Sequence, residues 1–180
     1  MKNIIISAIG SDRPGIVSEL SGVITSHGGN VEESRMSRLG SDFAIIMLVT
    51  VAPDWEESLE VALKSITELT ITTKPTNLSQ VGDGRQFRID LSGADNEGIV
   101  KVLSKYLAEK SINILEMETH ISHAPISGTP LFNLNASVSV PNDVEETVIQ
   151  SDLSQIAKKL GVEIQLNSFK YNKLVYPPTK

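Results

Sequence analysis

Residues 10–17 read GSDRPGIV, and residues 93–100 read GADNEGIV. The second stretch follows the first at an offset of 83 positions, and the same offset holds without a gap beyond both of them. It superimposes three further pairs of identical residues: Leu20 and Leu103, Asn30 and Asn113, Glu33 and Glu116. Because a fixed period in a sequence signals a repeated structural unit, we interpret the chain as two copies of one module.

Hydrophobic periodicity predicts the order strand, helix, strand, strand, helix, strand in each copy. In the first copy the strands are expected at 4–9, 30–36, 43–51 and 71–74, and the helices at 16–26 and 53–69. In the second copy the strands are expected at 87–91, 112–121, 131–140 and 162–169, and the helices at 99–107 and 142–160. The second copy also carries a longer loop, predicted at 123–130, between its middle strands.

This element order predicts an α+β fold of two ferredoxin-like βαββαβ domains in tandem. Each domain is expected to be an antiparallel sheet with two helices on one face. The predicted divisions are a first domain at 1–76, a linker at 77–86, a second domain at 87–170 and a C-terminal tail at 171–180. The linker assignment follows from its polar, glycine-containing composition, which is typical of an exposed connection.

Composition excludes several classes of function. The formal net charge of −6 repels a phosphate backbone, which argues against direct binding of nucleic acid. The chain has no cysteine, so disulfides and thiolate metal sites are excluded and a cytoplasmic location is expected. The apolar run at the N-terminus is too short for a signal peptide or a membrane span.

The loop between the first strand and the first helix has the chemistry of an anion site. Pro14 tolerates the first helical turn because its missing N–H needs no partner there, and Gly15 leaves room for a close approach to the backbone. Unpaired N–H groups and partial positive charge at a helix start attract an anion such as the carboxylate of an amino acid. The side chains of Asp12 and Asn30 are acceptors that could bind the amino group.

These residues, with the GGNV stretch at 28–31, resemble the ACT domain, a family of small-molecule regulatory modules. ACT domains bind amino acids at interfaces between paired domains, through the strand-to-helix loop and the start of the second strand. In the first copy the resemblance implies these ligand contacts: Asp12, Arg13, Pro14, Gly15, Ile16, Asn30 and Val31. In the second copy it implies Asp95, Gly98, Ile99, Asn113 and Ile114. The second copy replaces arginine and proline by Asn96 and Glu97, and the added carboxylate disfavours an anion, so the first copy is the better candidate.

Six of these residues also have an interpretation without a ligand. Asp12 and Asp95 are suitable helix N-caps, and glycine at positions 15 and 98 would permit close packing of helix on sheet. Asn30 and Asn113 could be turn residues that follow a helix.

The resemblance extends to regulators made of two ACT domains. It implies a non-enzymatic, homodimeric protein that senses an amino acid and controls transcription through a DNA-binding protein partner. The alternative is an ACT-type assembly scaffold that no longer binds a ligand. An enzyme ranks third, because no recognisable catalytic arrangement is present. No cofactor, metal or membrane is expected, and the close pair His120 and His123 lacks a third ligand.

The third strands of the two copies differ in pattern. Residues 43–49 are all apolar, which makes both faces of that strand apolar, whereas residues 132–140 alternate apolar and polar. We therefore expect the second face of the first sheet to be covered by self-association or an interdomain contact. The corresponding face of the second sheet is expected to be hydrated or to make polar contacts.

Overall fold

The computed structural model describes residues 1–78, 84–94, 96–124 and 128–168. The chain divides into two compact units, Met1–Gln80 and Val81–Lys180. Each unit contains a four-stranded antiparallel sheet and two α-helices, which confirms the predicted α+β fold of two ferredoxin-like domains. The bounds of the predicted domains and of the linker at 77–86 stay predictions, and residues 79–83 of that linker lie outside the described residues.

The first unit has four strands and two helices in the predicted order. They are β1 (Lys2–Ser11), α1 (Ile16–Ser26), β2 (Asn30–Leu39), β3 (Asp42–Val51), α2 (Glu56–Lys64) and β4 (Thr70–Pro75). A short 3-10 helix, Pro53–Trp55, precedes α2. The strands lie in the order β2-β3-β1-β4, so β2 and β4 are the edges of the sheet.

The second unit repeats this arrangement. Its elements are β5 (Arg85–Ala94), α3 (Ile99–Glu109), β6 (Asn113–His123), β7 (Pro130–Val140), α4 (Glu146–Leu160) and β8 (Val162–Ser168). The strand order β6-β7-β5-β8 matches that of the first sheet position by position. The edge strands β2 and β6 even carry a register shift at the same place, between Val31 and Glu33 in one and between Ile114 and Glu116 in the other.

Each unit has its own hydrophobic core between the helices and one face of the sheet. The first core is formed mainly by alternate residues of β1 and β3 with the inner faces of the helices. Its most deeply buried large side chains include Ile4, Ile6, Leu20, Ile24, Met47, Leu59 and Leu63. Burial of such side chains is the main stabilising contribution to a domain of this size.

Two helix boundaries differ from the prediction. The helix expected to continue to residue 69 ends at Lys64, and Ile66 and Leu69 are buried in the connection that follows it. The apolar spacing was therefore correct about burial and wrong about helix length. The last helix begins at Glu146 and not at 142, because Val144 donates its N–H to the carbonyl of Pro141 in a turn, and in the described residues no side chain caps the helix.

The predicted loop at 123–130 is shorter than expected. β6 continues to His123 and β7 starts at Pro130, and these two residues pair with each other. Residues 125–127 of the loop, Phe169 and the predicted tail at 171–180 lie outside the described residues.

The open faces of the two sheets, which point away from their own helices, differ in character. On β3, Ile45, Met47 and Val49 are buried in the core, so the alternate set, Ala44, Ile46 and Leu48, lies on the open face. Ile46 is 47% exposed. On β7 the open face carries Asn133, Asn135, Ser137 and Ser139, as the alternation predicted. That the apolar face is covered by a second copy or another domain stays a prediction.

Candidate ligand-binding site

The β1–α1 loop, residues 12–15, joins the end of β1 to the start of α1 and is tied to the β2–β3 hairpin. The backbone N–H of Asp12 donates to the carbonyl of Ser41 at 2.9 Å. The carboxylate oxygen Oδ2 of Asp12 lies 3.1 Å from Nε of Arg38. These contacts fix the position of the carboxylate next to the guanidinium of Arg38.

Gly15 determines the shape of this loop. Its φ of 92° lies in the left-handed region, which side chains other than glycine rarely adopt. A Cβ built on Gly15 would have no atom within 4 Å. The glycine is therefore present for its backbone conformation, and the alternative of close packing between helix and sheet is wrong.

The first turn of α1 presents free hydrogen-bond donors. The first intrahelical bond runs from the N–H of Glu19 to the carbonyl of Gly15 at 2.8 Å. The preceding three N–H groups, of Ile16, Val17 and Ser18, have no acceptor among the described residues. No described side chain caps the helix, so Asp12 is not an N-cap. Three aligned donors at the positive end of a helix are suited to bind an anion.

The remaining predicted residues of the loop have restricted roles. Arg13 forms ion pairs with Glu19 and with Glu68, the latter at 2.6 Å between Nε and Oε2. These carboxylates, Glu19 first, raise the pKa of Arg13 and already balance its charge. The side chain of Ile16 is buried in the core, so only its backbone can contact a ligand, whereas Pro14 is exposed.

Asn30 and Val31 lie at the opposite end of the sheet from this loop. Asn30 is in register with Thr50, and Thr50 is in register with Asn3 near the start of β1. Asp12 lies nine residues further along the chain than Asn3, which is about 30 Å at roughly 3.3 Å per strand residue. The expectation that Asp12 and Asn30 together bind one amino group is therefore wrong within a single domain.

The Asn30 side chain has a partner in its own strand. Its Nδ2 donates to Oε1 of Glu32 at 2.9 Å, and the hydroxyl of Thr50 donates to the same oxygen at 2.8 Å. These bonds, first that from Asn30, lower the pKa of Glu32. Asn30 is thus an ordered residue at the start of an edge strand, and Val31 beside it is half-buried against the core.

The second copy builds the same loop with different side chains. Gly98 has a φ of 86°, accepts the first helical bond from Val102 at 2.9 Å, and would have no atom within 4 Å of an added Cβ. Ile99 is buried like Ile16. Asp95 lies outside the described residues. Asn96, which replaces arginine, donates to the carbonyl of Leu160 at 3.0 Å.

Asn113 and Ile114 repeat the separation found in the first copy. Asn113 is in register with Ser139, which pairs with Gln86 near the start of β5, and Gly98 follows the far end of that strand. The predicted residues of the second copy therefore also fall into two groups at opposite ends of the sheet.

Sequence reasoning missed a polar network on the open face of the second sheet. Asp90 accepts hydrogen bonds from Arg88, Asn135 and Asn167, at 2.8, 2.6 and 3.3 Å. Desolvation raises the pKa of Asp90, but these donors together outweigh it and the pKa is lowered. Alternation in β7 indicated a polar face. Which residues of β5 and β8 join this face in the network depends on the register in which the strands pair, and the sequence alone does not give that register. For the same reason Arg38 and Glu68, the partners of the first loop, were not predicted.

The described residues form neither a metal site nor a membrane-spanning helix. In that part of the chain, no group of three or more histidine, aspartate or glutamate side chains is placed to hold a metal ion. None of the helices described is long and apolar enough to cross a membrane.

The fold and the loop define the class of this protein. Residues 2–75 match the family model of the ACT domain. The second unit repeats the strand order, the bulge and the left-handed glycine of the first. The first unit is therefore an ACT domain, and the second unit repeats its fold.

Individual relatives extend the similarity beyond the first unit. Over 175 residues the chain is 21% identical to the glycine cleavage system transcriptional repressor of Escherichia coli strain K12, covering 94% of this chain and 91% of the relative. A UPF0237 protein of Methanococcus maripaludis is 35% identical over 69 residues, 37% of this chain and 76% of the relative. The crystal structure of an unknown protein from Galdieria sulphuraria is 34% identical, with a TM-score of 0.83 over 94% of this chain and 99% of that one.

Proposed function

We propose that this protein is a non-enzymatic regulator that senses an amino acid at the β1–α1 loop of its first domain and controls transcription through a protein partner. The observation that carries the proposal is the set of three unpaired N–H groups that follow Gly15. Glycine is the first ligand to test, because the Escherichia coli relative is a transcriptional repressor of the glycine cleavage system.

The chemistry of the loop suits both ends of an amino acid. The carboxylate would accept hydrogen bonds from the N–H groups of Ile16, Val17 and Ser18, at the positive end of the α1 dipole. The ammonium group would bind the carboxylate of Asp12, which Arg38 holds in position. A ligand as small as glycine has only these two groups, and the loop offers one partner for each.

Participation of Asn30 requires a second copy of the chain. β2 is an edge strand of the first sheet, and none of the described strands pairs with its outer edge. An antiparallel two-fold pairing centred on Ser34 would place Asn30 opposite Arg38 of the second copy, next to the Asp12 that this arginine binds. The same register would place Glu33 of each copy opposite Arg35 of the other, which gives two equivalent pairs of opposite charge. A homodimer built in this way would complete two identical sites.

A scaffold without a ligand is the second candidate. Arg13, the loop's own cation, is already paired with Glu19 and Glu68 and is not free to bind a carboxylate. If these ion pairs serve only to hold the loop in place, the domain dimerises without binding a ligand and transmits no signal.

A thermal-shift screen against each proteinogenic amino acid separates the two candidates. A ligand that binds only the native state stabilises it by about 2.7 kcal/mol at a concentration of 100 times its Kd. The sensing proposal predicts a saturable rise in Tm for glycine or a close relative in size. The absence of a rise with any amino acid would favour the scaffold.

A further inference from the structure

The helical layer of the first domain exposes an aromatic side chain that its fold does not require. Trp55, the only tryptophan of the chain, is 47% exposed at the end of the short helix before α2. Val61 on α2 is 65% exposed and lines a shallow depression together with His27, Asp54 and Glu57. We refer to these five residues as the Trp55 surface.

The indole of Trp55 is held in place from one side. The ring of His27 meets it edge to face, with 6.3 Å between the centroids and 80° between the planes. Gly28 lies beneath it, since a Cβ on that glycine would lie 3.6 Å from Cγ of Trp55. His27 is itself fixed, because its Nδ1 lies 2.8 Å from the carbonyl of Val23. The side of the indole away from these residues is open, so the ring is a rigid apolar platform.

The depression next to this platform is lined by charges of one sign. Asp54 and Glu57 line the depression, and in the part of the chain described by the structure neither carboxylate has a hydrogen-bond or ion-pair partner. The lining of the depression contains no lysine or arginine. A cation in the depression would therefore meet two carboxylates beside His27, the residue that contacts the indole.

The second domain builds the same fold without this feature. Residues 141–146, which lead into α4, contain no aromatic residue. An exposed tryptophan at this position is therefore not a requirement of the architecture. Exposed apolar side chains rimmed by polar ones are typical of sites that bind another protein.

From these observations we infer that the Trp55 surface docks an arginine-bearing segment of a partner protein. The guanidinium stacks on the indole of Trp55 and pairs with Asp54 and Glu57, while Val61 packs against the aliphatic part of the segment. Arginine fits better than lysine, because its planar cation stacks on an aromatic ring and binds carboxylates at the same time. This inference rests on the proposed function only in that the chain acts through a protein partner.

The emission of Trp55 reports on this surface alone, because the chain has no other tryptophan. Titration of the full chain with hexa-arginine amide at about 0.15 M salt should change that emission saturably, and hexa-lysine amide should bind about tenfold more weakly. The double variant Asp54→Asn/Glu57→Gln should weaken binding of hexa-arginine by about tenfold or more. The matched control, Asp143→Asn/Glu145→Gln before α4, removes the same two negative charges and should bind like the wild type.

Two results would overturn the inference. One is an emission that hexa-arginine does not change, and the other is an equal loss of binding in both double variants, which would indicate general attraction to an acidic protein. Circular dichroism of each variant verifies that it is folded. No amino-acid ligand enters this experiment, so its failure is distinguishable from failure of the thermal-shift screen.

Discussion

The β1–α1 loop of the first domain and the β5–α3 loop of the second have the same backbone and different side chains. Gly15 and Gly98 have φ values of 92° and 86° and begin their helices with equivalent hydrogen bonds. Arg13 reaches Glu68 across the loop, and Asn96 at the corresponding position reaches the carbonyl of Leu160. Arg13 ties its loop to the connection that follows the second helix of its domain, and Asn96 ties its loop to the last residue of that helix. The comparison shows that the duplicated fold constrains the backbone of the loop and its contact with the rest of the domain. It does not constrain the side chains that would determine which ligand binds.

The edge strands diverge further. Glu33 and Arg35 on β2 correspond to Glu116 and Glu118 on β6, at the same distance from the same bulge. A two-fold antiparallel pairing of β2 with itself brings opposite charges together, whereas the same pairing of β6 would bring like charges together. We therefore expect the first domain, and not the second, to pair with its own copy through this edge.

Charge reversal on β2 should have the largest effect. Arg35→Glu or Glu33→Arg replaces two symmetric attractive pairs by repulsive ones, which should weaken the homodimer by about 2 kcal/mol, or roughly 30-fold in Kd. The double variant Glu33→Arg/Arg35→Glu restores opposite charges and should restore the dimer, as measured by analytical ultracentrifugation. The control Glu118→Arg on β6 should leave it unchanged. A double variant that dimerises no better than the single ones would exclude the proposed register.

Alanine at the two loop glycines should have the next largest effect. Gly15→Ala and Gly98→Ala each force an L-residue into the left-handed region, at a cost of about 1–2 kcal/mol of stability. Because neither Cβ would meet a neighbouring atom, the two costs should be equal. Denaturant unfolding of both variants measures them. A clearly larger loss at one position would show that its glycine is also needed for packing.

Removal of one of the carboxylates that pair with Arg13 should have a smaller effect, on the affinity for the ligand. Glu68→Gln removes one of the two carboxylates that occupy this arginine, which frees it for the carboxylate of a ligand. The expected result is affinity higher by about threefold, the range of an exposed ion pair, with little change in stability. Glu163→Gln, an exposed position on β8, is a control for the loss of one charge. Unchanged affinity in the Glu68 variant would mean that Arg13 takes no part in binding.

The purified protein should show no measurable binding to duplex DNA. An acidic chain has no electrostatic gain from a phosphate backbone, so the purified protein should not retard DNA at about 0.15 M salt. A gel-shift titration with and without the amino acid checks this expectation. Retardation that weakens as salt increases would indicate direct binding and would remove the need for a partner.

The sequence was sufficient for the architecture because the repeat, the apolar periodicity and the glycines are local signals. It placed Gly15 and Gly98 at helix starts and identified β7 as a strand with one polar face. The sequence did not predict which site residues lie close together, because that depends on contacts between distant parts of the chain. Asp12 and Asn30 are separated because α1 runs back along the sheet before β2 starts, a consequence of the topology that residue types do not reveal. The end of α2 was misplaced because residues in a connection can be buried with helical spacing.

Calorimetric titration of glycine, or of the amino acid found in the screen, into three proteins tests the central claim most directly. The wild type and Gly98→Val should bind with the same Kd, since the second loop takes no part. Gly15→Val should show no binding while remaining folded, because its side chain enters the open space beside the free N–H groups of α1. Normal binding by the Gly15 variant would contradict the assignment of the site to the first domain.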